Sequence, residues 1–485
     1  MIVLQKATAT DLRRGGPESG FQRKPRLYLV DSSIDGNMIM EHPANTFPQE
    51  IWAEIMRYCS QETLVVLSRV SPLLCTEARK LLLRTVVSKH HTNRQHEPMG
   101  IIHRPWSFYD LLKRDHVDWR RMIKSIRLNW MSEYVGKDGK NALIGREKPI
   151  EDHLIFKTAQ LLCECTRLSD FHFSARSLMV VTTMLKHGPL PVTSLDFALP
   201  HRYLWEDIYA VFSIPTLTTL VIRNLLSPDR PSFRFPPPIP DELHHIHGTS
   251  NIQDLSLLDC GPLTHFISPL FQWPKSLRRL KYAPMRSKCE PYWRTILRRT
   301  GDISDAVDLS VSVLLPLSST LQELHFDLGL DRHWILPFQT GELFQPFTSL
   351  KHLTAPIELI MHSRGLSRSR TGKPFYTNLP HSLETLELKF TILTSWHSRP
   401  AHSDLDADAC LMTDPAHQLF HELSMLAVQK GEWLSELRQV TLTGDGDRPF
   451  LVKCKHAEYA LEDLEHSGVS VIQDNWYRES KEAWI

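Results

Sequence analysis

The sequence predicts an α/β chain: a three-helix module near the N-terminus, then an irregular solenoid with a parallel sheet on its concave side and helices or loops on its convex side. Three observations predict it. Between residues 46 and 82 apolar residues recur at helical spacing behind clear start signals. From residue 123 onward a short Leu-x-x-Leu-x-Leu pattern keeps returning. A 42% hydrophobic content over 485 residues is enough to bury a large core.

The first helix start is well marked. Thr46 is placed to cap it, Gln49 follows three residues later as the reciprocal partner, and Pro48 fits the first turn. Ile51, Trp52, Ile55 and Met56 then share one face. Ser60 restarts a second helix bearing Leu64, Leu67 and Val70, and Ser71-Pro72 opens a third through Leu74, Ala78, Leu81 and Leu82. A module this short cannot hide so much apolar surface by itself, so a docking partner is expected on physical grounds. Residues 1–40 mix Gly, Ser and Arg without periodicity and read as a disordered N-terminal tail.

The order Phe47-Pro48-x-Glu50-Ile51, followed by Ile55, Leu64, Leu67, Val70-Ser71 and Leu74, resembles the F-box, with a Val-Ser-Pro variant similar to fungal ones. The resemblance implies an F-box over residues 43–90. It also implies docking on a Skp-family adaptor joined to a cullin scaffold, with Phe47, Pro48, Ile51, Ile55, Leu64, Leu67, Val70 and Leu74 facing that adaptor. Residues 91–120 read as a helical connector.

The repeat is clearest at Leu217–Ile222, Ile252–Leu257, Leu277–Tyr282, Leu321–Phe326 and Leu383–Leu388. It is looser at Ile123–Leu128, Leu168–Phe173, Val192–Phe197, Leu350–Ala355 and Leu437–Leu442. In each unit the last two apolar positions alternate with exposed ones, the period of a strand with one buried face. No unit can fold alone; stacked units share one sheet and one core. The pattern resembles irregular leucine-rich repeats over residues 121–475, with 476–485 a C-terminal tail.

Spacing between central apolar residues runs from 24 (Phe171 to Leu195) to 54 (Leu386 to Val440), so some units carry insertions. Residues 151–164 and 415–430 have helical spacing, whereas 228–248 hold a polyproline-type run ending at Pro240. A helix over 457–466 and a strand over 468–472 close the domain, and the polar stretch 473–481 is placed to shield its last edge.

If the strands align, the residue between the last two apolar positions faces the concave surface. That row is Arg127, His172, Asp196, Val221, Ser256, Lys281, His325, Thr354, Glu387 and Thr441. Flanking positions add Arg223, Arg279 and Lys389, against Asp170, Asp254, Glu323 and Asp327. Mixed signs break the continuous basic track that nucleic acid requires and fit a protein partner read by charge pairs. The candidate substrate-facing residues are Arg127, His172, Asp196, Ser256, Lys281, His325 and Glu387.

Other chemistries find little support. Lys plus Arg number 56 against 55 Asp plus Glu, so no global field draws the chain to nucleic acid or an anionic membrane. The apolar run Met1–Gln5 is too short for a signal peptide, with Arg13-Arg14 after it, and no apolar stretch approaches a membrane span. No phosphate-loop, dinucleotide, zincin or nucleophile-elbow motif occurs. His244-His245-x-His247 lacks the further ligands of a zinc site and reads as a solvated loop. Arg364–Lys373, basic with Ser367, Ser369 and Thr371 interspersed, reads the same way rather than as an import or phosphorylation element. Eight dispersed cysteines, Cys163 and Cys165 on a helix among them, indicate buried reduced thiols and a cytoplasmic or nuclear protein. No catalytic residue, metal or cofactor is expected.

The two resemblances together imply a non-enzymatic substrate-recognition adaptor of a Skp/cullin/F-box ubiquitin ligase, its repeats binding a protein substrate. The second reading is a leucine-rich-repeat interaction scaffold with no ligase role.

Overall fold

The computed structural model describes residues 48–59, 61–70, 72–89, 101–103, 109–110, 112–113, 120–129, 152–173, 177–199, 203–225, 239–244, 246–261, 263, 265–285, 289, 311–327, 343–360, 374–390, 415–444, 450–451, 455–474 and 476–477. The N-terminal tail, the Thr46 cap, Phe47, most of the proline-rich run, the basic segment 364–373 and the chain after 477 lie outside the described residues.

Helices α1 (Gln49–Arg57), α2 (Gln61–Val70) and α3 (Pro72–Arg84) stand at the three predicted positions. Pro72 opens α3, where its missing N–H would be unpaired in any case. Met56, Leu64, Leu74, Ala78 and Leu82 are buried in this module, apart from the main core. Gln49 of α1 reaches across to α3. Its Nε2 donates to Glu77 Oε1 on α3 at 2.7 Å, and the buried Glu77 also accepts from Lys80 Nζ at 2.5 Å. One carboxylate, which would be costly to bury unpaired, thus ties α1 to α3.

Arg84 ends α3 and Thr85 begins β1 (Thr85–Lys89) with no loop between them. β1 belongs to a 13-stranded sheet whose neighbours all run parallel, in the order β2-β1-β3 and onward in sequence to β12, then β14. Its other strands are β2 (Ile101–His103), β3 (Ser125–Asn129), β4 (Asp170–Phe173), β5 (Ser194–Ala198), β6 (Thr219–Arg223), β7 (Asp254–Cys260) and β8 (Arg279–Pro284). β9 (Glu323–Phe326), β10 (His352–Pro356), β11 (Thr385–Phe390), β12 (Gln439–Gly444) and β14 (Ser470–Asp474) complete it. A separate parallel pair joins β13 (Phe450–Leu451) to β15 (Trp476–Tyr477). The fold is α/β with an open parallel sheet, compatible with a solenoid.

Every predicted unit holds one strand, β3 to β12, and the closing strand is β14. The sheet nevertheless begins at residue 85 and not at 121. β1 lies in the stretch read as the end of the helical module, and β2 in the stretch read as a helical connector. No Gly or Pro separates Leu81-Leu82-Leu83 from Val86-Val87, so one apolar run covers the change from helix to strand. Trp476–Tyr477, read as tail, form β15.

Helices α4 (Asp152–Leu162), α5 (Ser177–His187), α6 (Trp205–Phe212), α7 (Pro415–Trp433) and α8 (Lys455–His466) lie on connections between strands. Right-handed crossovers between sequential parallel neighbours put such helices on one face of the sheet. Burial agrees with that arrangement. Ile126, Phe171, Leu195, Leu220, Leu255, Leu280, Leu324, Leu353, Leu386 and Val440 form one buried row across the register, within a core cluster spanning Val86 to Val469. A one-residue slip in any strand would turn its row out to solvent, so this row fixes the register.

Backbone carbonyls at the leading edge lock the stack. Lys124 O accepts from Ser169 and Asp170 N–H at 2.8 and 3.0 Å, and Ser169 O accepts from Thr193 and Ser194. The same two-donor step recurs at Thr193, Thr218, Gln253, Arg278, Gln322, Lys351 and Glu384. Each unit therefore satisfies backbone groups of the next, and none has a complete set of partners alone. At the far end Gly468, with φ of 81°, turns the chain out of α8. Its N–H donates to Glu465 O at 2.9 Å while Val469 N–H reaches Leu464 O, a glycine-terminated cap.

Candidate functional site

Two surfaces stand out, one on the helical module and one on the sheet. On the module, Ile51, Ile55 and Tyr58 are 46%, 44% and 83% exposed; spaced by four and three residues, they follow one face of α1 into the turn after it. Val66 and Val70 of α2 are 60% and 50% exposed. Large apolar groups this exposed, beside five core residues among those described, constitute unfinished burial.

The predicted adaptor-facing residues divide. Pro48, Ile51, Ile55 and Val70 are exposed and Leu67 is half-buried. Leu64 and Leu74 are buried in the module's own packing. Tyr58 and Val66 were missed in the sequence; their helical spacing to Ile55 and Val70 was the available signal. Between module and sheet lies a cavity of about 480 Å³, lined by Met56, Arg57, Cys59, Leu64, Leu81 and Arg84 on one side and by Lys124, Ser125, Ser169 and Asp170 on the other.

The second surface is the sheet face opposite the buried row. Arg127, His172, Asp196, Val221, Ser256, Lys281, His325, Thr354, Glu387 and Thr441 are register partners from strand to strand, so the structure brings the whole predicted row together. All are exposed or half-buried.

Charge on this face is organised locally. The Arg223 guanidinium straddles Asp196, with Nε to Oδ1 at 3.0 Å and a second nitrogen to Oδ2 at 3.1 Å, while His172 Nδ1 lies 2.7 Å from Asp196 Oδ2. Asp259, in a left-handed conformation at the bulge in β7, comes within 3.7 Å of Arg223. Arg279 grips Asp254 in the same two-pronged way, and Thr219 also bonds Asp254, at 3.3 Å. Glu387 accepts from Thr354 at 3.0 Å and from Thr443 at 3.1 Å. Lys389 Nζ is 2.9 Å from His325 Nε2.

These contacts set the titration of the face. Burial alone would raise the Asp196 carboxyl, but hydrogen bonds from His172 and Arg223, with their charges, outweigh it and hold the group below its ordinary value. A carboxyl lowered in the folded state adds stability that is fully present above the ordinary carboxylate range and lost as pH falls through the folded value. Thermal unfolding followed from neutrality down through about pH 4 is therefore expected to show a smaller acid loss for Asp196→Asn than for the wild type. Identical acid profiles would refute the assignment. His325 is lowered too, to about 4, through burial and the adjacent charges of Lys389 and Lys281, which favours its neutral form. Its imidazole is neutral at pH 7, with Nε2 accepting from Lys389.

Of the remaining sequence candidates, the two neighbouring cysteines carry no reactive thiol. Cys163 and Cys165 sit in the turn after α4; burial raises both thiols, Cys165 to about 12, far from the reactive thiolate range. Among the described residues no group of three or more His, Cys, Asp or Glu is placed to hold a metal ion, and no helix is long and apolar enough to cross a membrane. Set against known proteins, the chain matches no family model and no curated sequence.

Proposed function

We propose that the chain is a substrate-recognition adaptor of a Skp/cullin/F-box ubiquitin ligase: α1 to α3 are an F-box that docks on a Skp-family adaptor, and the sheet is that of an irregular leucine-rich-repeat solenoid whose open, concave face takes a protein substrate. The observation that carries this reading is the exposed apolar strip Ile51, Ile55 and Tyr58, with Val66 and Val70, which the module's own packing leaves in water. A partner with a complementary apolar groove would remove that surface from water at roughly 25 cal/mol per Å².

The direct passage of α3 into β1 supports the same reading, because a ligase adaptor works by proximity. It raises the concentration of target lysines near the charged conjugating enzyme, and a rigid joint between docking face and recognition face keeps that concentration high. No residue of the chain performs chemistry in this mechanism; it needs neither metal nor cofactor. The compartment is cytoplasm or nucleus, where Skp-family adaptors and cullins act.

Co-purification with a Skp-family adaptor and cullin tests the proposal. The wild type is expected to capture both, and Pro48→Ala combined with Ile51→Asp to capture neither. Retention of the adaptor by that variant would refute the assigned face. Capture of the adaptor without cullin, with no protein stabilised when the chain is deleted, would favour the scaffold reading.

A further inference from the structure

On the open face three carboxylates are engaged, whereas Lys281 and Lys389 have no carboxylate partner among the described residues. Asp196 is held by His172 and Arg223, Asp254 by Arg279 and Thr219, and Glu387 by Thr354 and Thr443. Lys281 makes no ion pair or hydrogen bond among the described residues. Lys389 spends its hydrogen bond on a neutral imidazole, and Glu387 and Asp327 act on it only from beyond ion-pair distance. Both lysines raise the positive potential at His325, which lies directly opposite Lys281 in the β8–β9 register.

This arrangement works against the chain's own stability. Burial and the neighbouring Lys281 lower the Lys389 ammonium despite the two distant carboxylates. Like charges held together without a counterion cost energy until an anion arrives. The donors for one are in place. Ser256, opposite Lys281 on β7, has a hydroxyl with no partner among the described residues, and with Nε2 of His325 accepting, its Nδ1 carries a proton and is equally unengaged.

We propose that Ser256, Lys281, His325 and Lys389 form an anion-binding subsite on the open face, which takes one carboxylate or phosphate group presented by an acidic segment of a partner protein. The proposal rests on the reading of this face as a partner-binding surface and names what that surface selects. A single anion fits better than a polyphosphate strand, because Asp254, Glu323 and Glu387 surround the subsite and would repel a continuous backbone.

Histidine NMR on the full chain tests it, using inorganic phosphate and acetate as separate probes. The His325 Cε1–H signal is assigned by its loss in His325→Gln. One or both anions are expected to shift it saturably, with affinity at least about fivefold weaker in Lys281→Ala. Removing Lys281 relieves its repulsion of Lys389, so that variant unfolds at or above the wild-type temperature, and Arg127→Ala, elsewhere on the face, keeps full affinity. Saturation by phosphate alone assigns a phosphorylated residue as the source; saturation by acetate assigns an Asp, a Glu or a chain terminus. No saturable shift with either anion, or equal affinity in Lys281→Ala, would overturn the proposal. Capture of the Skp-family adaptor by the same samples reads the helical module separately, so failure of the ligase reading and failure of the anion subsite give different results.

Discussion

Trp273→Ala is expected to destabilise the sheet domain by about 3–5 kcal/mol, the largest effect of any single change considered. The indole is fully buried and packs edge-on against Tyr209 at 5.3 Å and Phe212 at 5.0 Å between ring centroids. Its Nε1–H donates to Leu243 O at 3.1 Å. Truncation therefore leaves a cavity the size of two rings and removes the shorter of the two hydrogen bonds to the Leu243 carbonyl. The loss falls between β7 and β8, in the middle of the stack, where each unit depends on both neighbours. Denaturant unfolding followed by circular dichroism is expected to show an early transition absent from the wild type. An unchanged midpoint would mean that these units do not share their core in the way described.

The second large effect separates docking from folding. Ile51→Asp with Ile55→Asp is expected to reduce capture of a Skp-family adaptor at least about 100-fold, since two apolar anchors at about 1.5 kcal/mol or more each multiply to that factor. Its unfolding temperature should stay close to wild type, because both side chains already stand nearly half in water. Leu64→Asp is expected to do the reverse, melting the module first and losing capture as a result, because Leu64 is buried and an unpaired carboxylate there has no partner. Isothermal titration beside thermal melts distinguishes the two variants. Tight binding by the Ile51/Ile55 variant would place the docking face elsewhere.

Much of this architecture was legible because two periods in the sequence are rigid. The spacing Leu-x-x-Leu-x-Leu forces residues such as Leu220 and Ile222 inward and Val221 outward, and ten such units leave one register open to them. β1 and β2 were hidden for opposite reasons: Val86-Val87 continues a helical apolar run without a breaker, and Ile101-Ile102 is too short to show alternation. The phase of α1 and α2 was harder to read. Both helices carry apolar residues on more than one face, and only the packing onto α3 decides that Met56 and Leu64 turn in while Ile55 and Val66 turn out. The His325–Lys389 contact joins residues 64 apart in sequence across an intervening strand. Such a pair follows from the completed sheet and from no local pattern.

The unbroken passage from α3 into β1 also makes the helix a transmitter of angle. An α-helix advances about 1.5 Å and turns about 100° per residue. A single residue added to or removed from the middle of α3 would swing the Ile51–Ile55–Tyr58 strip around the helix axis by that angle relative to the open sheet face. The length of α3 is in this sense a setting, and the direction in which a bound partner points can change in evolution through indels in one helix without altering either surface.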